Sequence, residues 1–159
     1  MKPNFNKMLS LIDETFSTRN DPGQIQVNEE QMKKLQAIHP ATLSEKANTD
    51  GPLIWVLLIP TIQTIMHDFL NGSISETQLL ELTPLETNYD CIYLCSATTL
   101  PEARGKGDTK QLCIKAIEAI CKDHSISALF VWPFTKQGGQ LAGKIAAELN
   151  LPLFTRTEK

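Results

Sequence analysis

No stretch of this sequence is apolar for long enough to cross a bilayer. The longest run, PLIWVLLIP at 52–60, falls far short of the roughly 20 residues a spanning helix needs. The N-terminal MKPNFNKMLSLIDETF also lacks the continuous apolar centre of a cleavable signal, so a cytoplasmic protein with no membrane partner is expected. Positive charge is scarce too. Fifteen Lys and Arg against 18 Asp and Glu leave a net charge of −3 and a pI near 5.6, which argues against nucleic acid as a partner. No low-complexity tract or internal repeat is present, and none of the four cysteines has zinc-finger spacing, so no metal is expected.

The 42% hydrophobic and 21% charged residues of a 159-residue chain suit one globular domain. Phe5, Met8, Leu9, Ile12 and Phe16 recur at helical steps over 4–17, and Asn28 with Gln31 forms a capping-box pattern ahead of a second helix closed by Pro40. ATLSEKANTDG then reads as a polar loop. PLIWVLLI reads as a strand buried on both faces, followed by two short helices, the second capped by Ser75. Thr83 to Asp90 is a loop and CIYLCSAT a second buried strand. A helix spans Asp108 to Cys121, ALFVWPF is a third strand broken by Pro133, and GGQLAGKIAAELNL is a helix before a short extended tail, LPLFT. Cys91 and Cys95 lie four apart on a strand, and Cys113 and Cys121 eight apart on a helix. The expectation is that each pair shares a face as small buried hydrophobes, with metal or disulfide as the alternative.

The densest chemistry lies in LPEARGKGDTKQL, between the second strand and the long helix. The first N–H groups of a helix have no partners within it and carry the positive end of its dipole, so an anion is favoured there. Gly105 and Gly107 would let backbone approach a phosphate, and Arg104 and Lys106 would add charge. The segment lacks both G-x-x-x-x-G-K-[ST] and G-x-G-x-x-G, which excludes the nucleoside-triphosphate loop and the dinucleotide fingerprint. A plain structural turn is the other reading.

Thr99 to Gly107, with the flanking strand, helix, strand and helix, resembles the central motif of the GCN5-related N-acetyltransferase superfamily, roughly V-x-P-x-x-R-G-x-G-x-G/A. The likeness covers about residues 88–150. It implies an acyl-CoA N-acyltransferase-like α/β fold: a mixed, twisted sheet with helices on both faces and an atypical helical N-terminal region. It also implies acetyl-CoA (coenzyme A) as co-substrate, its pyrophosphate on the loop amides and its pantetheine arm paired with the splayed end of the preceding strand. Cys95, Ala97, Thr99, Arg104, Gly105, Lys106, Gly107, Asp108 and Thr109 are the binding positions so implied.

Two residues depart from the motif. Thr109 replaces a small residue, and Asp108 replaces an apolar one, bringing a carboxylate to the anion site. With Gln111 three residues on, Asp108 also matches a capping box that would compete for the same N–H groups, and weakened coenzyme binding follows.

For chemistry, Cys91 stands where histone-acetylating relatives carry a glutamate base, and Tyr93, on the same face, is a candidate proton donor; the usual helix tyrosine is missing from LAGKIAAELNL. Asp90 should point away from Cys91 by strand alternation. His39, His67 and His124 read as surface or capping residues. Trp132 and Phe134 wall a pocket or pack in the core, and Gly138-Gly139 is a helix-entry loop or a coenzyme contact. The expected function is acetyl transfer to a small-molecule amine or a protein amino group. The alternatives are a degenerate relative that binds coenzyme A or a protein without catalysis, and a structural module; assembly into an oligomer is left open.

Overall fold

The structure, a computed structural model, describes residues 29–133 and 136–156. The N-terminal helix expected over 4–17, the cap Asn28 and Phe134 lie outside the described residues. The architecture is α+β, with helices on both faces of a five-stranded mixed sheet in the order β1-β2-β3-β4-β5. In chain order come α1 (Glu29–Ile38), β1 (Leu43–Asn48), β2 (Gly51–Thr61), α2 (Gln63–Leu70), α3 (Glu76–Leu82) and β3 (Cys91–Thr99). Then follow α4 (Asp108–Asp123), β4 (Ala128–Val131), α5 (Lys136–Leu149) and β5 (Leu153–Thr155).

Strand alternation divides the core in two. Leu57, Ile59, Cys91, Tyr93 and Phe130 face the helices α1, α2 and α3, which contribute Leu35, Ile65, Phe69 and Leu79. Val56, Leu58, Ile92, Leu94 and Leu129 face the other way, onto Ile114, Ile117 and Ile120 of α4 and Ala142 and Ile145 of α5. The near-continuous burial of β2 matches its unbroken apolar sequence.

One segment read as a loop proves to be a strand, and the extended tail pairs as another. Leu43–Asn48 pairs antiparallel with β2 as an exposed edge, and its polar side chains conceal it, since an edge strand needs no apolar face. Its backbone is tied by pairing, and Trp55 Nε1 donates to Glu45 Oε1 at 2.7 Å across the ladder. The tail residues Leu153–Thr155 pair parallel with β4 as β5. Gly138 and Gly139 fall inside the first turns of α5 rather than in a loop before it.

The cysteine expectation holds for one pair only. Cys91 and Cys95 both pack on the α2 side, but Cys113 is buried while Cys121 is exposed. Eight helical residues turn through about 800°, which leaves the two roughly 80° apart around the axis. All four thiols are free.

Candidate functional site

β3 and β4 run parallel in register from Cys91↔Ala128 to Leu94↔Val131. β4 ends at Val131, whereas β3 continues to Thr99, so among the described residues its last stretch has a ladder partner on the β2 side alone. The departure coincides with an irregularity on the other side. Leu58 pairs with Leu94 and Leu57 with Ser96, leaving Cys95 as the extra residue of a β-bulge. Among the described residues the ladder between the two strands therefore ends before Cys95, at a point termed the notch, with Trp132 directly after β4 and the exposed Ala97 farther along β3.

The part of β3 beyond its last pair with β4 leads directly into the loop. Leu100 N–H donates to Leu53 O at 2.9 Å, and Pro101–Ala103 form one 3₁₀ turn anchored by buried Leu100 and Ala103. Arg104 Nε donates back to Thr99 O at 3.1 Å, and the Thr99 and Thr109 hydroxyls lie 2.6 Å apart. Thr109 thus turns its polar atom toward the end of the strand and fastens the two ends of the loop together. Gly105 and Gly107 adopt φ of +80° and +76°, a region L side chains occupy at a cost. A Cβ built on either would meet nothing within 4 Å, so the outer side of this turn is open space.

The expected capping box at Asp108 is not formed. Gly107, left-handed and without a side chain, is the N-cap of α4, and Asp108 is the first helical residue. Its carboxylate reaches instead to Lys46 Nζ of β1, 3.0 Å away. The reason lies in the tertiary pairing: β1 brings a cation across the start of α4, and an ion pair there replaces the local cap.

Beneath the notch, Tyr93, Cys95 and Trp132 meet two residues that reading the sequence did not single out, Glu76 and Arg156. Glu76, the first residue of α3, is 1% exposed, and the Tyr93 hydroxyl donates to its Oε2. Cys95 Sγ donates to the same oxygen at 3.7 Å. Tyr93 stacks on Phe130 with ring centroids 5.1 Å apart and leans on Phe69 at 4.8 Å. Arg156, just beyond β5, places its guanidinium 4.0 Å from the Trp132 ring centroid and 4.7 Å from that of Phe69, while Nη1 donates to Ile74 O at 3.3 Å. A sequence signal for Glu76 did exist: it sits three and four residues before buried Leu79 and Leu80, on the apolar stripe of its helix.

Cys91 sits at the other end of β3, fully buried, its Sγ donating to Thr61 O at 3.5 Å. Asp90 does not point away as alternation suggested, because it precedes the strand; its Oδ1 lies 3.6 Å from Cys91 Sγ. Burial and then the Asp90 charge push this thiol well above its ordinary range, so it stays protonated at neutral pH. Cys91 and Tyr93 share a face, but only Tyr93 reaches the cluster under the notch. Among the histidines, His39 caps the turn Pro40–Thr42 through Nδ1 and pairs with Asp123 at 2.7 Å, and His124 is the C-cap residue of α4.

Among the described residues, no group of three or more His, Cys, Asp and Glu side chains is placed to hold a metal ion, and no helix is long and apolar enough to cross a membrane. Comparison with known proteins found no matching family model, no matching curated protein and no matching solved structure.

Proposed function

We propose that this chain is an acetyl-CoA-dependent N-acetyltransferase with an acyl-CoA N-acyltransferase-like fold. The observation that carries the reading is a coincidence of three features along one strand. The departure of β4 after Leu94, the bulge at Cys95 and the open Gly105–Gly107 turn follow one another along a single stretch of chain. A strand edge that runs on past its neighbouring strand offers alternating N–H and C=O groups, which suits the amide-bearing pantetheine arm. A helix start whose N-cap has no side chain, beside Arg104 and Lys106, suits its pyrophosphate.

On this reading Cys95, Ala97 and Thr99 contribute backbone to the arm, and Arg104, Gly105, Lys106, Gly107 and Thr109 frame the anion. The open space at both glycines is where a close approach is needed. Asp108 opposes the anion less than its charge suggests, because Lys46 already offsets it. The acceptor amine enters the notch and attacks the thioester carbonyl, which the backbone N–H near Cys95 polarises. Cys91, buried and protonated, takes no part.

The same burial of Cys91 favours a second reading, a relative that keeps the coenzyme site without turnover. Thermal denaturation with and without acetyl-CoA tests the shared premise, since a ligand bound only by the folded state raises its stability. A rise in melting temperature is expected. No rise at millimolar acetyl-CoA would end both readings, and binding without release of free thiol would leave only the second.

A further inference from the structure

The turn between β3 and α4 has little packing to hold its shape. Arg104, Gly105, Lys106 and Gly107 are four consecutive exposed residues, and a Cβ built on either glycine meets nothing within 4 Å. Two glycines in so short a stretch give a free loop many conformations, and fixing one of them costs entropy. The structure supplies instead two ties to one residue, Thr99, the last of β3. Arg104 Nε donates to its carbonyl at 3.1 Å and the Thr109 hydroxyl meets its hydroxyl at 2.6 Å, so the chain is fastened to the same point before and after the glycines. Thr99 is itself seated in the sheet: it pairs with Ile54 of β2, and the next residue, buried Leu100, donates from its N–H to Leu53 O. Both threonines are partly buried, which strengthens the bond between them relative to one made in water. A threonine in the first turn of a helix has the local option of bonding nearby backbone. Thr109 reaches across to the strand instead, and the glycine or alanine that the motif has at this position carries no atom with which to do so.

We propose that Thr109 is a positioning residue of this site and acts through Thr99: their hydroxyl pair holds the Gly105–Gly107 turn in the shape that receives a coenzyme diphosphate, and joins it to the strand edge that receives the pantetheine arm. The inference rests on the coenzyme reading above. Neither hydroxyl has to touch the ligand. The pair acts by being formed beforehand, so that less conformational freedom is lost when the anion arrives. Arg104, with Nε given to Thr99 O, belongs to the same device. The ion pair of Asp108 with Lys46 ties the helix start to a different strand, but it is partly exposed and salt screens it. A hydroxyl pair carries no net charge, and its effect is therefore independent of salt.

The experiment uses the full chain and acetyl-CoA, with calorimetry for binding. Thr109→Val keeps the shape of the side chain and removes its hydroxyl, and it is expected to weaken acetyl-CoA binding about fivefold, the worth of one net hydrogen bond. The loss is expected to be the same in 20 and 500 mM salt. Thr109→Ser keeps the hydroxyl and is expected to bind within about twofold of the unaltered chain. Thr99→Val should match Thr109→Val, and the double variant should be no weaker than either, because both changes remove one contact. Without any ligand, the Lys106 and Gly107 amides are expected to exchange hydrogen about fivefold faster in Thr109→Val, since the turn opens more often. A tie that served the fold alone would lower the urea midpoint and leave affinity and turn exchange where they were, and that result overturns the assignment. Thr109→Ser binding no more tightly than Thr109→Val overturns it as well, as do additive losses in the double variant. Should Thr99→Val lose its native circular dichroism, the comparison of Thr109→Val with Thr109→Ser decides alone. Failure of the unaltered chain to bind acetyl-CoA overturns the underlying coenzyme reading and the site role built on it, while the exchange rates then decide by themselves whether the tie orders the turn.

Discussion

Asp108, the first residue of α4, holds its carboxylate 3.0 Å from Lys46 Nζ on the edge strand β1. Both side chains are partly exposed, so the pair adds about 0–1 kcal/mol to stability. Its consequence is electrostatic: a charge that opposes an anion at the helix start is already matched by a neighbour far away in the chain.

Replacing that carboxylate should therefore tighten coenzyme binding. Asp108→Asn leaves Lys46 free to face the anion, and acetyl-CoA affinity is expected to rise about fivefold at low ionic strength. Calorimetry in 20 and 500 mM salt checks this, with the gain shrinking at the higher concentration. An affinity unchanged or lowered at low salt contradicts the placement of the anion beside α4.

The turn itself depends on backbone rather than contact. Gly105→Ala and Gly107→Ala each force a side chain into the left-handed region without any clash, so each is expected to destabilise the fold by about 1 kcal/mol. Urea denaturation measures it. Full stability in both variants would show that the turn does not hold these dihedral angles.

Phe69 joins the wall beneath the notch, touching Tyr93, Phe130, Trp132 and the Arg156 guanidinium. Phe69→Ala should cost about 3–5 kcal/mol, because the cavity cannot collapse between two strands and a stacked cation. Phe69→Leu should cost clearly less. Equal denaturation midpoints for the two variants would contradict this account of the packing.

Thiol reactivity should rank by burial. Cys113 is pushed up to about 12 by burial and Cys91 is raised further, whereas Cys121 is exposed, so iodoacetamide at pH 8 is expected to label Cys121 well ahead of both. Linkage gives a second readout. A thiol whose folded pKa lies above the unfolded value of 9.0 keeps its proton longer in the native state. Its contribution to stability is complete below about pH 9 and falls as pH rises toward 12. Cys113→Ala should flatten that alkaline decline; peptide mapping showing Cys113 labelled first would refute the ranking.

The sequence made β2, β3, β4 and the helices α2 to α4 legible because their burial is periodic or continuous, and periodicity is local information. Edge strand β1 was read as a loop and β5 only as an extended tail, since what makes them strands is a neighbour's free hydrogen bonds rather than their own apolar pattern. Within the candidate site, the glycines and Arg104 could be read from spacing. Glu76 and Arg156 could not be placed there, because they come from α3 and from beyond β5, far from the loop in the chain.

By itself, then, the order of residues determined where strand, turn and helix succeed one another around Arg104 to Gly107, through dihedral preference and hydrophobic period. Tertiary structure alone decided the electrostatics. It gave Asp108 to Lys46 instead of to the helix start, and it set Glu76 under the notch against Tyr93 and Cys95. Charges interact through space, and which of them meet depends on how the sheet and its flanking helices pack.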